Sequence, residues 1–159
     1  MASLMQINET NATGPIGNVI EILYKLMAFE NVSGRLAHHI IEYICSGFTL
    51  HSVEVSLSFN KARQKANIFA KIGPHSEGDV VSNGHTDVVP VEARKWATDP
   101  FKLRGKDYRL YGRGSVGMKG FLTCFLASVS IFKSVNLKNP IHAAWSYDDE
   151  TGVLVCQIY

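Results

Sequence analysis

The stretch DVVSNGHTD at residues 79–87 decides how the chain folds, because it runs from apolar into polar side chains without a break. Its valines predict a short strand, and the polar run after them ends in His85 and Asp87. A second stretch, IHAAWSYDDETG at 141–152, alternates apolar and small residues before it reaches three acids. Sheets covered by helices bind their ligands at strand ends, so the two stretches together predict a functional site there.

Working outward from these strands, periodicity predicts the remaining elements. The predicted helices cover 16–27, 34–46 and 118–133, the predicted strands cover 53–59, 68–72, 79–82 and 141–147, and a hairpin covers 101–111. Ser33 is expected to be the N-cap of the second helix, and Gly47 is expected to end it. The predicted fold class is therefore α/β, with helices packed on a mixed twisted sheet.

Composition limits the possible functions. The chain has 159 residues, of which 46% are hydrophobic and 19% charged, and its net charge is +2. This length suits one domain-sized core, and the charge balance gives no reason to expect nucleic acid or an anionic membrane as the main partner. No apolar run approaches the ~20 residues that span a bilayer. A small molecule or a protein is the expected partner.

The three cysteines have no spacing typical of a zinc knuckle or a disulfide framework. They are Cys45, Cys124 and Cys156. This usage fits a reducing cytoplasm, where we expect the protein to reside. Cys124 lies on the apolar helix over 118–133, so we expect it to be a small buried residue.

The first polar cluster is His85-Thr86-Asp87. Residues i and i+2 of an extended segment project to the same side, so the His85 imidazole and the Asp87 carboxylate are expected to lie close together. A carboxylate beside a histidine fixes its tautomer, which a metal-binding histidine requires. The alternative is a loop histidine near a solvated aspartate, and the motif alone does not decide between them.

The second polar cluster is Asp148-Asp149-Glu150. Adjacent acids raise one another's pKa, so a cation or a catalytic task is expected to compensate them. A solvated acidic turn is the alternative. If both clusters end strands of one sheet, together they supply the nitrogen and oxygen ligands that zinc accepts.

Two other patterns invite a functional interpretation. The run GRGSVG at 112–117 is a literal G-x-G-x-x-G, but it follows a hairpin, and no acid occurs between Gly117 and Asp148, which disfavours a dinucleotide site. Five basic residues flank or occupy the hairpin, and we expect a solvated face there rather than a nucleic-acid patch. They are Lys102, Arg104, Lys106, Arg109 and Arg113.

Four motifs in fixed order resemble one enzyme family, namely the acetylornithine deacetylase / succinyl-diaminopimelate desuccinylase family of zinc aminoacylases, and within it the acetylornithine deacetylases. The motifs are GHTDVVPV at 84–91, Trp96 with DPF at 99–101, RLYGRGSVGMKG at 109–120 and SYDDETG at 146–152. The resemblance implies a zinc-exopeptidase-like catalytic domain that hydrolyses the amide of a small N-acyl amino acid. It also implies two metal ions, Zn²⁺ or Co²⁺, that activate the attacking water.

The resemblance assigns roles to four residues by position. His85 resembles a ligand of one metal ion, and Glu150 resembles a ligand of the other. Asp87 resembles the acid that orients the histidine. Asp149 takes the position of the general base.

Three departures from the family pattern set further expectations. Gly117 stands where the family has a metal-bridging aspartate, and Asp149 stands where it has glutamate. The chain also stops where the family continues into further ligands and a lid-like dimerisation domain. We therefore expect residues 1–159 to be the N-terminal part of the metallohydrolase catalytic domain, incomplete at the C-terminus and inactive by itself.

These departures leave two further expectations about the role of the chain. The alternative to a fragment of an active hydrolase is a non-catalytic relic, or a binding partner of a complete paralogue. An exposed sheet edge also predicts self-association or pairing with a C-terminal half.

Overall fold

The computed structural model describes residues 15–92 and 94–151. Within these ranges the elements are α1 (Pro15–Ala28), α2 (His38–Thr49), β1 (Val55–Phe59), β2 (Ala66–Ile72), β3 (Val80–His85), β4 (Arg104–Lys106), β5 (Arg109–Tyr111), α3 (Met118–Ser134) and β6 (Ile141–Ser146). A single 3₁₀ turn over Asp149–Thr151 follows β6. Cys156 and Gly152 lie outside the described residues. None of the described helices is long and apolar enough to cross a bilayer.

Four strands form one mixed sheet in the order β1-β2-β6-β3, which confirms the predicted α/β class. Strand β2 is antiparallel to both of its neighbours, whereas β3 and β6 are parallel. Because β3 and β6 are parallel and adjacent, their carboxyl ends meet, and His85 lies opposite Ser146 in the register. Strands β4 and β5 pair with each other in a separate antiparallel ribbon.

Aromatic side chains form the centre of the core. Trp145 of β6 is fully buried, and its ring centroid lies 5.5 Å from that of Phe48 on α2 and 5.3 Å from that of Phe125 on α3. Tilted and edge-on contacts of this kind add to the free energy gained from burying the ring area. They fix α2 and α3 against the sheet and so place the end of β6 relative to the helices.

The second helix differs from its prediction at both ends. It begins at His38, and Ala37 precedes it without any side-chain cap. Gly47 lies inside the helix rather than at its end. Ser33 does not cap it, because the Ser33 hydroxyl donates to the carboxylate of Asp87 instead. A long-range hydrogen bond to a buried acid has replaced the local interaction that the sequence suggested.

The expectation that Cys124 is buried is wrong. Cys124 is exposed, and the buried face of α3 is made by other residues. That face comprises Lys119, Leu122, Thr123, Phe125, Leu126, Ala127 and Val129. Cys124 stands two positions from both Leu122 and Leu126, about 200° around the helix axis, so it faces away from the core.

One charged side chain is buried between the helices. Lys119 is 0% exposed, and its Nζ donates to the backbone oxygen of Phe29 at 2.7 Å, just beyond α1. The same nitrogen lies 5.8 Å from the centre of the Phe101 ring. Burial lowers the pKa of Lys119 from 10.5 to about 7, and the charge of Glu30 offsets this only in part. The folded chain thus disfavours the protonated form.

The buried lysine predicts an unusual pH dependence of stability. Because the folded-state pKa lies below the unfolded one, the unfolded chain binds more protons between the two values, and stability rises as pH increases through that window. In the wild type we expect the free energy of unfolding, measured by urea denaturation, to rise by up to about 2 kcal/mol between about pH 7.5 and 9.5. We expect Lys119→Met to lack this rise. Lys133→Met, on the exposed last turn of α3, is the control. If the wild type and Lys119→Met have the same pH profile, Lys119 is not buried as described.

Candidate active site

The buried carboxylate of Asp87 is the centre of the site. It follows β3, and 4% of its side chain is exposed. Its oxygens accept hydrogen bonds from the Ser33 hydroxyl and from His85 Nδ1. They also accept the backbone N–H groups of Asp149 at 3.2 Å and Glu150 at 3.3 Å. One carboxylate therefore joins three separate parts of the chain.

These donors set the ionisation of Asp87. Burial by itself raises the pKa of this carboxyl group. The hydrogen bonds from His85, Ser33 and the two backbone N–H groups outweigh burial and lower the pKa from 3.8 to about 2. Asp87 is thus a fixed negative charge at neutral pH, held by donors rather than by a cation.

His85 is oriented by Asp87, as the i, i+2 spacing predicts. Its Nδ1 lies 3.0 Å from the Asp87 backbone oxygen and 3.2 Å from the carboxylate. Both neighbours are acceptors, so Nδ1 carries the proton, and the lone pair of the neutral ring is on Nε2. Nε2 lies 3.9 Å from Glu150 Oε1.

The pKa of His85 is raised overall. Burial is the largest single influence and lowers this pKa. The hydrogen bond to Asp87 and the charges of Asp87, Asp149 and Glu150 together raise it by more than burial lowers it. The imidazole is therefore a better base than a free histidine, which is the effect that a neighbouring carboxylate has on a metal-binding histidine.

The segment after α1 supports Asp87 from one side. Val32 and Val88 form an isolated parallel bridge, with Ser33 N donating to Val88 O at 3.0 Å and Val88 N donating to Asn31 O at 3.2 Å. The Asn31 side chain also donates to the Thr86 backbone oxygen. Sequence reasoning missed this pairing, because the partners are more than 50 residues apart and neither segment alternates in hydrophobicity.

The three carboxylates of the acidic turn after β6, Asp148, Asp149 and Glu150, lie in different surroundings. Asp148 has a positive φ of 53°, and its carboxylate accepts from Lys65 Nζ and from Gly34 N at 2.8 Å. It is therefore structural, and Lys65 is a partner that the sequence did not indicate. Asp149 is exposed, while Glu150 lines a cleft beside the strand ends. The alternative of a uniformly solvated turn does not describe this arrangement.

The cleft has a volume of about 1100 Å³ and is lined by His85, Asp87, Glu150 and the glycine-rich loop before α3. That loop follows the separate ribbon rather than a strand of the main sheet, so the context of a dinucleotide site is missing. The glycines of the loop differ in how much space they have. A Cβ at Gly120 would lie 2.4 Å from the Ser115 backbone oxygen, so only glycine fits there.

Gly117 has no such constraint. Its φ is −94°, and a Cβ would meet nothing nearer than 3.9 Å. Gly117 also lines the cleft. A side chain at this position, directly in front of α3, therefore has space, and it would lie beside the same cleft as His85 and Glu150.

The donor set fits a metal ion in type but not in number. Imidazole Nε2 of His85 and carboxylate Oε1 of Glu150 are zinc ligands by chemistry, and Asp87 supports the histidine. Among residues 15–92 and 94–151, however, no group of three or more His, Cys, Asp or Glu side chains is placed to hold a metal ion. The described residues supply two ligands, whereas a catalytic zinc site uses about three.

Part of the chain matches a family of known proteins. Residues 81–154 match Peptidase family M20/M25/M40. Acetylornithine deacetylase of Pasteurella multocida (strain Pm70) is 39% identical over 93 residues, which are 58% of this chain and 24% of that protein. The enzyme of the same name from Salmonella paratyphi B is 37% identical over 91 residues, 57% of this chain and 24% of that protein. The chain spans about a quarter of the length of these relatives.

Solved structures share the fold. Human carnosine dipeptidase 1 superposes with a TM-score of 0.73 at 23% identity, over 86% of this chain and 33% of that one. The M20 family metallo-carboxypeptidase Sso-CP2 from Sulfolobus solfataricus has a TM-score of 0.72 at 19% identity, over 84% of this chain and 31% of that one.

The fold is thus shared with part of each of these two chains. Through residues 81–154 the chain is related to Peptidase family M20/M25/M40, and the resemblance to acetylornithine deacetylases is confirmed. The roles of His85, Asp87, Asp149 and Glu150 remain predictions.

The hydrogen-bonded carboxylate predicts a specific loss of stability. Asp87→Asn removes the charge that four donors hold, and we expect it to lower the free energy of unfolding by about 2 kcal/mol near neutral pH. Because the folded pKa lies below the unfolded one, this contribution is present above about pH 4 and is lost as pH falls toward 2. Urea denaturation at several pH values measures it.

Asp107→Asn is the matched control, since Asp107 lies in the exposed turn of the ribbon and asparagine tolerates its positive φ of 50°. If Asp87→Asn were as stable as this control near neutral pH, the hydrogen-bond network around Asp87 would be wrong.

Proposed function

We propose that this chain supplies part of the catalytic domain of a metal-dependent hydrolase that cleaves the amide of N-acyl amino acids, as in acetylornithine deacetylase. One observation carries the proposal: the Asp87–His85 pair faces Glu150 where the parallel strands β3 and β6 end. Both groups belong to the segment shared with the M20 family. The resemblance implies Zn²⁺ or Co²⁺, and imidazole nitrogen and carboxylate oxygen are ligands that zinc accepts.

The residues of the chain have distinct tasks in this proposal. His85 Nε2 and Glu150 Oε1 hold metal, and Asp87 fixes the imidazole so that Nε2 stays available. A bound metal ion supplies a water of lowered pKa and polarises the scissile carbonyl. The exposed cleft beside these groups admits the N-acyl amino acid.

Asp149 is the proposed proton acceptor, and its position depends on Asp87. The backbone N–H of Asp149 donates to the Asp87 carboxylate, which anchors the 3₁₀ turn beneath the exposed side chain. Proton transfer needs a heavy-atom approach of about 2.6–3.2 Å. Aspartate is one methylene shorter than the glutamate of the family pattern, so we propose that it transfers protons slowly.

Gly117 is the proposed reason for weak metal binding. An aspartate at this position bridges two metal ions in the family pattern, and glycine offers no ligand. A Cβ at Gly117 would meet no atom nearer than 3.9 Å, so a side chain has space there. We propose that the 159-residue polypeptide by itself binds metal weakly and does not turn over N-acetyl-L-ornithine.

A single substitution tests this proposal. We expect Gly117→Asp to tighten Zn²⁺ binding by at least about tenfold, because it restores a carboxylate that the family pattern shares between the ion of His85 and the ion of Glu150. Isothermal titration with Zn²⁺ measures the affinity. Val116→Asp adds the same charge at a neighbouring position that is 96% exposed, and is expected to change affinity less than about twofold. Neither variant nor the wild type is expected to release acetate from N-acetyl-L-ornithine.

Two results would contradict the proposal. Equal tightening by Val116→Asp would mean that charge alone attracts the ion and that position 117 does not face the metal ligands. Acetate release by the wild-type polypeptide would show that two ligands and Asp149 suffice for turnover.

A further inference from the structure

The ribbon of β4 and β5 presents basic side chains to the cleft. In its register Arg104 lies opposite Tyr111, and Lys106 lies opposite Arg109. Directly opposed residues of an antiparallel pair project to the same face, so three cations share one face of the ribbon. All three line the cleft, whereas Lys102 does not. The solvated basic face that the sequence predicts is thus largely a wall of the candidate active site.

A second basic group adjoins the ribbon. The guanidinium of Arg113 lies 5.2 Å from the centre of the Trp96 ring, and that of Arg94 lies 5.8 Å from it. All three residues line the cleft. Arg113 also donates to the Pro90 backbone oxygen at 3.2 Å, yet its Nε is buried without a partner. The tryptophan holds both arginines by cation–π contact rather than by charge neutralisation.

These cations have almost no carboxylate partners among the described residues. Arg94, Arg104, Arg109 and Arg113 form no ion pair there, and Lys106 lies 3.9 Å from Asp107 on the exposed turn. Like charges directly opposite each other across two strands also destabilise a ribbon. These cations repel one another, and they lie in the same cleft as the proposed catalytic groups. An anionic ligand that binds between them explains this arrangement best.

We propose that this basic wall binds a side-chain carboxylate of the substrate, so that the cleft prefers N-acyl amino acids with an acidic side chain. An N-acyl glutamate brings a second carboxylate to the ribbon. The cationic side chain of N-acetyl-L-ornithine would be repelled by the same residues. The inference deepens the proposed function, because it names the substrate class, but the charge preference is a binding property that exists without metal.

The charge preference predicts an order of affinities. The 159-residue polypeptide, free of metal, is titrated with N-acetyl-L-glutamate, with N-acetyl-L-glutamine, which is its isostere with a neutral side chain, and with N-acetyl-L-ornithine, and binding is followed by NMR. At low salt we expect the glutamate ligand to bind at least about fivefold more tightly than the glutamine ligand, and the ornithine ligand to bind most weakly. Because salt screens exposed charges, the preference should fall below about twofold in ~0.5 M NaCl.

Paired variants locate the effect on the ribbon. Combined Arg104→Gln and Arg109→Gln is expected to remove at least about two thirds of the glutamate preference, because it weakens binding of the doubly charged glutamate ligand more than that of the singly charged glutamine ligand. Lys102→Gln removes one charge beside the same ribbon but outside the cleft, and should keep the preference. Thermal unfolding of each variant checks its fold, and relief of the like-charge pair should leave the melting temperature of the double variant no lower than that of the wild type.

Three results would overturn the inference. The first is equal binding of the glutamate and glutamine ligands by the wild type. The second is an equal loss of preference in Lys102→Gln and in the double variant. The third is an affinity for inorganic phosphate, at matched ionic strength, that equals the affinity for N-acetyl-L-glutamate, since that would indicate a general anion site. Any of these can occur while Gly117→Asp still tightens metal binding, so the two proposals fail separately.

Discussion

The site depends on one buried carboxylate and the donors that surround it. An ionised Asp87 would be costly to bury without partners. Ser33, His85 and the N–H groups of the acidic turn supply them, and the charge in return fixes where those three parts of the chain lie. The orientation of His85 and the position of Glu150 follow from the same group. The two proposed metal ligands are thus both positioned relative to Asp87.

Local patterns predicted most of the fold and the pairs that lie close in sequence. The alternation in β6 and the helical period of α3 identified those elements, because Ala143 and Trp145 of β6 and one face of α3 are buried in the same core. The i, i+2 spacing brought His85 and Asp87 together for a geometric reason that needs no tertiary information. The presence of two polar strand ends then located the site.

Long-range contacts account for what the sequence did not predict. Ser33 was expected to cap a helix, but it bonds an acid 54 residues away. Lys65 pairs with Asp148 across 83 residues, and neither carries a local signal of this partnership. The basic ribbon was predicted as a solvated face, because strand register decides which side chains share a face and where that face points. Such features appear only once the sheet is assembled.

The tautomer of His85 tests the account most directly. At a pH above its raised pKa, ¹⁵N NMR of the imidazole should show the proton on Nδ1, held by Asp87, and an unprotonated Nε2. Added Zn²⁺ should then shift Nε2 and leave Nδ1 protonated. A proton found on Nε2, or a Zn²⁺-induced shift at Nδ1, would contradict the claim that Asp87 prepares His85 for metal binding.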